Sequence, residues 1–426
     1  MTEAFLLVIF VMGYIFITAE HSMSVNKGAT ALLMAVLSWT ILFMEGSRHY
    51  PYHIVSPHIV DELNTHLQEV SQVFIFLLGA MTIVALIDAH RGFYVIERFI
   101  RTQGKRKLLW MISLVTFFLS SFLDNVTTAI IMTSLVHRLV PDREDRMIFL
   151  SMVIIAANAG GAWSPIGDVT TTMLWIGGQV SAGTLMKTLF IPSMVSLLVP
   201  VLYFTARLKG EIPPAPLREE NQPPERGAKR VFILGAGGLI FVPVLRGVTG
   251  LPPFMGMMLI LGIVWAFTDL LHQQRYYLRV PHILTKVDMS SVLFFLGILL
   301  TVSALETRGI LNHIALWMDA HLGDKDRVIT FMGLASAVID NVPLTAASIG
   351  MYPLTSYPMD ARIWLMIAYC VGTGGSILII GSAAGVVVMG MERMNFLWYL
   401  HRVSLPVLIG YLAGIAAFFV IYRLIH

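Results

Sequence analysis

Charge is scarce in this chain. Asp, Glu, Lys and Arg make up 13% of its 426 residues, against roughly 25% in soluble domains. That shortage excludes an ordinary water-soluble fold. Cysteine is nearly absent: Cys370 stands alone, so neither an intramolecular disulfide nor a thiolate metal cluster is available, and it is expected as a small apolar helix residue. No basic patch interleaved with aromatics occurs, which removes nucleic acid as a partner. The first residues lack the basic region and small-residue cleavage site of a signal peptide. The apolar run 4–18 is therefore expected to be a retained membrane span.

What the chain has in quantity is apolar sequence, 56% of all residues. Runs able to span lie near 4–18, 28–46, 71–88, 146–176 and 187–206, and again near 230–246, 252–271, 289–306, 361–390 and 403–424. A crossing needs roughly 20 residues as a helix. Runs 146–176 and 361–390 are too long for one crossing and are interrupted by glycine. This predicts an all-α integral membrane protein embedded in a lipid bilayer.

Two further segments, about 107–137 and 327–352, carry the pair Asp-Asn in apolar surroundings, as Asp124-Asn125 and Asp340-Asn341. A carboxylate at membrane depth costs several kcal/mol on insertion scales and is a functional candidate by default. Such a segment is a better re-entrant helical hairpin than a continuous span, because irregular backbone survives there only when buried in protein or facing water.

Landmarks recur in order. Leu-Leu-Gly79, Asp124-Asn125, Gly160-Gly161 and Gly167 match Phe-Leu-Gly297, Asp340-Asn341, Gly374-Gly375 and Gly381 at offsets of 214–218 residues. The expectation is two repeats, 1–206 and 230–426, each of about five transmembrane helices plus one re-entrant hairpin, with broken helices at the membrane midplane. The proline-rich stretch 207–229 reads as a cytoplasmic linker. An odd number of spans per half inverts the second repeat. With the N-terminus outside, loops near 19–27, 89–108, 138–146, 207–230, 272–288 and 391–402 become cytoplasmic. They hold 21 of the 29 Lys and Arg, as the positive-inside rule requires. Segment 47–70, with one Arg and three acids, reads as a periplasmic loop.

The chemistry concentrates at the breaks. Asn125 and Asn341 offer amide oxygens; Thr127, Thr128 and Thr345 offer hydroxyls. Broken helices add carbonyls freed from the helix ladder. Hard oxygens suit a hard cation such as sodium. The same Asn and Thr also suit helix capping, and the two roles are compatible. Asp124 and Asp340 can each hold a proton or a cation, so competition for one carboxylate is enough for exchange. The segment from Asn158 through Gly160-Gly161 to Ser164-Pro165-Ile-Gly167-Asp168-Val-Thr170-Thr171 combines unwinding residues with an acid and hydroxyls. Its partner runs Gly372-Thr373-Gly374-Gly375-Ser376 to Gly381-Ser382. Asp168 aligns with Ser382 and Asn158 with Gly372. The expected main cation site is Asp124, Asn125, Thr127, Asn158 and Asp168, and the weaker one Asp340, Asn341, Thr345, Thr373 and Ser376. Asp88 and Glu306 read equally as relay groups or solvated helix ends, and His21, His90 and His401 as interfacial.

Phe76-Leu-Leu-Gly-Ala-Met-Thr-Ile-Val84, Phe122-Leu-Asp-Asn-Val-Thr-Thr-Ala129, Asn158-Ala-Gly-Gly-Ala-Trp-Ser-Pro-Ile-Gly-Asp-Val-Thr-Thr171 and Ile339-Asp-Asn-Val-Pro-Leu344 resemble the NhaD-type sodium/proton antiporters of the ion transporter superfamily. The likeness covers nearly the whole chain. It implies exchange of sodium, and usually lithium, for protons without a bound cofactor. It further implies a bacterial inner-membrane or organellar location, a homodimer, and an elevator-like cycle. One departure stands out: the family pattern has an acid directly after Met-Thr-Ile-Val, and here that place is Ala85.

Competing readings are weaker. A sodium-coupled dicarboxylate symporter would want uncharged hairpin tips for its anion, and three aspartates make this pocket negative. An intramembrane aspartyl protease would need Gly-x-Gly-Asp; here Pro165-Ile166-Gly167-Asp168 lacks the first glycine. A passive channel fits duplicated broken helices less well than alternating access does.

Overall fold

The computed structural model describes residues 2–18, 25–47, 57–97, 102–212, 225–272 and 275–425. Twenty α-helices are present among them. They are α1 (Thr2–Thr18), α2 (Lys27–Ser47), α3 (Pro57–Ala89), α4 (Tyr94–Glu97), α5 (Lys105–Ser120), α6 (Asn125–Leu139), α7 (Arg143–Ala162), α8 (Val169–Ile176), α9 (Ala182–Arg207) and α10 (Ala228–Thr249). The chain continues with α11 (Pro253–Leu271), α12 (Val280–Ile283), α13 (Met289–Thr307), α14 (Ile310–Leu322), α15 (Lys325–Ala335), α16 (Asn341–Met351), α17 (Arg362–Gly374), α18 (Ala383–Glu392), α19 (Phe396–Arg402) and α20 (Ser404–Ile425).

Eight of these helices are long and apolar enough to cross a bilayer. Their outward faces stay apolar: Leu33, Val36 and Leu37 on α2, Val244 and Val248 on α10, and Ile409 and Leu412 on α20 are exposed. In water such faces would be a liability; against acyl chains they are the required surface. All-helical structure satisfies the backbone internally, which is what the hydrocarbon core demands.

The packing explains where the small residues fall. Helix α20 runs along α9, and Gly410 and Gly414 make the closest approach. A methyl on Gly410 would lie 2.5 Å from the Ser196 carbonyl oxygen, and one on Gly414 2.8 Å from that of Pro192. This is the small-xxx-small device that lets membrane helices touch by backbone. Helix α2 lies along α13 and α11 along α3, while α5 packs on α7 and α15 on α17.

The long runs 146–176 and 361–390 each split into two helices, α7 with α8 and α17 with α18, with the breaks at 163–168 and 375–382. The Asp-Asn segments split likewise, into α5 with α6 and α15 with α16. Two elements differ from the sequence expectation. The expected periplasmic loop 47–70 is helical from Pro57, and α3 with 33 residues is about 50 Å long. That exceeds the roughly 30 Å hydrocarbon core, so polar residues such as Asp61 and Glu62 ride on turns that extend past it. The stretch after Glu306 forms α14, whose narrow apolar face of Ile310, Leu311 and Ala315 is buried. Most of the linker and its prolines, together with Arg98, Arg101 and His21, lie outside the described residues.

Candidate functional site

Four helix N-termini are each capped by a side chain at a break. Asp124 caps α6: its Oδ1 accepts from Thr127 N at 2.9 Å and its Oδ2 from Thr127 Oγ1 at 2.5 Å. Asp340 caps α16, accepting from Val342 N at 3.1 Å. Asp168 caps α8, accepting from Thr170 N at 3.2 Å. Ser382 caps α18, accepting from Gly385 N at 3.2 Å. Each cap satisfies one of the donors a helix start leaves open, and a carboxylate there also meets the positive end of the helix dipole.

The two Asp-Asn breaks are pinned to the neighbouring broken helices by matching contacts. Ser120 Oγ donates to the Ala157 carbonyl at 2.6 Å, and Ser336 Oγ to the Val371 carbonyl at 2.8 Å. A methyl on Gly160 would stand 2.1 Å from the Phe117 carbonyl oxygen, and one on Gly374 1.9 Å from that of Gly333. The Gly-Gly pairs are therefore where α5 and α15 press their last turns onto α7 and α17.

These contacts bring the amides and carboxylates together in two linked groups. Asn125 Nδ2 donates to Asn158 Oδ1 at 3.0 Å, and Asn158 Nδ2 donates at 2.8 Å to both Ser376 Oγ and Ser382 Oγ. Asn341 Nδ2 donates to Asp168 at 3.0 Å (Oδ2) and 3.3 Å (Oδ1). Asn125, Asn158, Asp168, Asn341, Ser376 and Ser382 are all buried. No Lys or Arg pairs with Asp124, Asp168 or Asp340 among the described residues.

The grouping differs from the sequence expectation. The spacing groups Asp168 with Asp124 and Asn125; in the structure it bonds Asn341 instead. The reason lies in the packing: α16 runs against α8, and α6 against α18, so the helix that Asp340 caps meets the one that Asp168 caps. Asn158 joins the first break to Ser376, expected in the weaker site with Asp340, and to Ser382, the sequence counterpart of Asp168. Thr345 and Thr373 turn their hydroxyls to their own helices, donating to the Asn341 carbonyl at 3.0 Å and the Tyr369 carbonyl at 2.6 Å. Thr171 donates to the Asp168 carbonyl at 3.0 Å. The Thr128 and Thr170 hydroxyls are buried with no protein partner. Ser382 was visible in the sequence as the partner of Asp168. Tyr399, whose hydroxyl donates to the Ser376 carbonyl at 2.8 Å, carried no signal, being far along the chain in an apolar stretch. Asp88 and Glu306 are exposed at helix ends, and Ala85 is half-buried on α3.

A membrane-embedded bundle with paired broken helices around buried amides and carboxylates defines a transporter rather than an enzyme. The chain matches the CitMHS family model, described as citrate transporter, over residues 7–368, and it belongs to that family. Sodium/proton antiporter 2 of Arabidopsis thaliana is 46% identical over 97% of this chain and 99% of its own length. Sodium/proton antiporter 1 of the same plant is 48% identical over 98% of this chain and 72% of its own. The Na(+)/H(+) antiporter NhaD of Alkalimonas amylolytica is 31% identical over 96% and 88%.

Proposed function

We propose that the protein is a sodium/proton antiporter, with lithium as an alternative cargo, and that Asp168 is a carboxylate shared by cation and proton. The observation that carries this is the setting of Asp168. It is 1% exposed, and its partners are an amide and a backbone N–H rather than a base. A buried carboxylate without a counter-ion is costly. The cap at α8 offsets part of that cost, and a proton or a sodium ion would offset the rest. Two ligands that neutralise one charge exclude each other, and this competition is the thermodynamic core of exchange. Asp124 and Asp340, at neighbouring helix starts, supply further negative potential for a cation and further proton acceptors.

Alternating access would be served by two inverted repeats. The matched caps, matched serine pins and matched glycine contacts described above support that reading. So do lengths: α5 has 16 residues and α6 has 15, about 24 Å and 22 Å, too short for a full crossing and consistent with a re-entrant hairpin. The cation-rich loops support a cytoplasmic first hairpin opening and an outside N-terminus, in a bacterial inner membrane. A homodimer with an elevator-like cycle follows from the family resemblance. The names of the relatives, antiporters over nearly the full chain, agree with this cargo.

The family description raises citrate as a second cargo. A tricarboxylate needs cationic or N–H-rich surroundings. Here the helix starts that could supply N–H groups are already capped, three of them by carboxylates. The test is reconstitution into vesicles with an imposed pH gradient, reading proton release on adding sodium, lithium, potassium or citrate. Sodium-driven proton release lost in Asp168→Asn supports the proposal. Citrate uptake with full activity in that variant would replace it.

A further inference from the structure

At one end of the bundle, about 22 Å along α7 from Asn158, an open cavity of about 390 Å³ is lined by Arg143, Met147, Arg393, Asn395, Trp398 and Arg402, among others. Its size falls in the range of small-molecule sites. Three elements supply its arginines: the first turn of α7, the C-cap of α18 and the end of α19. None of the three makes an ion pair among the described residues. The nearest acid on α18, Glu392, is already engaged by Arg146 Nε at 3.1 Å and by His137. Asp142 and Glu144 flank Arg143 on the chain but do not line the cavity. Arg393 holds φ +48°, a left-handed conformation that costs a non-glycine residue about 1 kcal/mol or more and clusters at functional sites.

Three unpaired guanidiniums converging on one cavity call for an anion with several acceptor oxygens, and phosphate matches their fork geometry. The rim decides the source. Leu397, which lines the cavity, is 57% exposed, Trp398 lines it beside Leu397 as interfacial tryptophans do, and Leu400 and Leu405, near Arg402 on the chain, are exposed. Apolar residues beside a basic pocket at a helix end provide for acyl chains as well as a headgroup.

We propose that this cavity binds the headgroup of an anionic phospholipid. The site is separate from the carboxylates and holds whatever the cargo proves to be. Dioleoyl phosphatidylglycerol, dioleoyl phosphatidylcholine and inorganic phosphate are titrated into the purified full chain in detergent. Native mass spectrometry reads retained adducts, and thermal unfolding reads stabilisation. Phosphatidylglycerol is expected to bind and stabilise, whereas the other two are not. Each of Arg143→Gln and Arg402→Gln weakens binding about fivefold, and the pair about 30-fold. The single variants are read on their own if the pair does not fold. Lys229→Gln with Arg230→Gln, exposed at the start of α10, leaves binding unchanged. The proposal is overturned if inorganic phosphate reproduces the stabilisation, if the Lys229/Arg230 variant loses as much affinity as the pocket pair, or if the pocket variants bind as the parent does.

Discussion

Replacing Asp168 by Asn separates charge from structure at the centre of the network. Both Thr170 N and Asn341 Nδ2 reach the same oxygen, Oδ1, at 3.2 and 3.3 Å. A new amide oxygen in that place can accept from both, and Asn is a good N-cap. Only the second contact to Asn341, at 3.0 Å on Oδ2, is lost or reoriented. The cost to stability is therefore within about 1–2 kcal/mol, and removal of a buried charge offsets part of it. Asp168→Ala is different. It leaves two buried donors without an acceptor and costs about 2–6 kcal/mol.

The two variants give distinct signatures in vesicles and in thermal unfolding. With sodium at 100 times its dissociation constant, the parent gains about 2.7 kcal/mol, a rise of a few degrees in melting temperature. Asp168→Asn is expected to melt close to the sodium-free parent, to gain nothing from sodium, and to release no protons when sodium is added. Potassium serves as the control for ionic strength. If Asp168→Asn keeps the sodium-dependent rise or the proton release, Asp168 is not the shared carboxylate and the reasoning fails.

Three further outcomes test the fold around it. Gly374→Ala puts a methyl 1.9 Å from the Gly333 carbonyl; it should cost at least about 1–3 kcal/mol by overpacking, seen as a lower melting temperature, whereas Gly372→Ala, with 3.3 Å to the Ala162 methyl, should cost less. Asp360→Ala removes the acceptor of Ser181 N at 2.6 Å, Ser181 Oγ at 2.7 Å and Thr184 Oγ1 at 3.0 Å, loosens the Ser181 residue that caps α9, and should cost about 1–3 kcal/mol with exchange retained. His90 and His272 lie just beyond the ends of α3 and α11 with ring centroids 4.9 Å apart; burial lowers both below the ordinary histidine value. The unfolded chain then binds protons that the folded one refuses, so stability should fall as pH drops through about 6.5 and level off below the folded values. His90→Gln with His272→Gln should shrink that fall in melting scans from pH 8 to 5.

Much of this arrangement was legible because membranes constrain sequence so tightly. Apolar length alone located the eight helices long enough to cross, since 30 Å of hydrocarbon admits few alternatives; the runs 4–18 and 361–390 form shorter helices. Glycine and proline in overlong runs located the breaks at 163–168 and 375–382, and the cost of a membrane carboxylate marked Asp124 and Asp340. Helix α14 and the extension of α3 were not legible. Their turns mix polar with apolar residues as loops do, and only a partner surface decides the matter.

The partner of Asp168 was hidden for a different reason. Spacing along the chain shows which residues are near in sequence, and by that measure Asp168 goes with Asp124 and Asn125. Contact between halves depends on how α16 and α8 cross, a tertiary relation with no local trace. The crossing makes the two groups chemically unlike at equivalent places. Asn341 meets a carboxylate, whereas Asn125 meets, through Asn158, the hydroxyls of Ser376 and Ser382. Under the proposed exchange, a cation neutralising Asp168 competes with the amide of Asn341 for the same two oxygens. Loading would then loosen a bond between the second Asp-Asn break and the first broken helix, while the uncharged Asn125–Asn158–Ser382 chain keeps its hydrogen bonds. Any structural response to the cation should therefore begin at α16, not at α6.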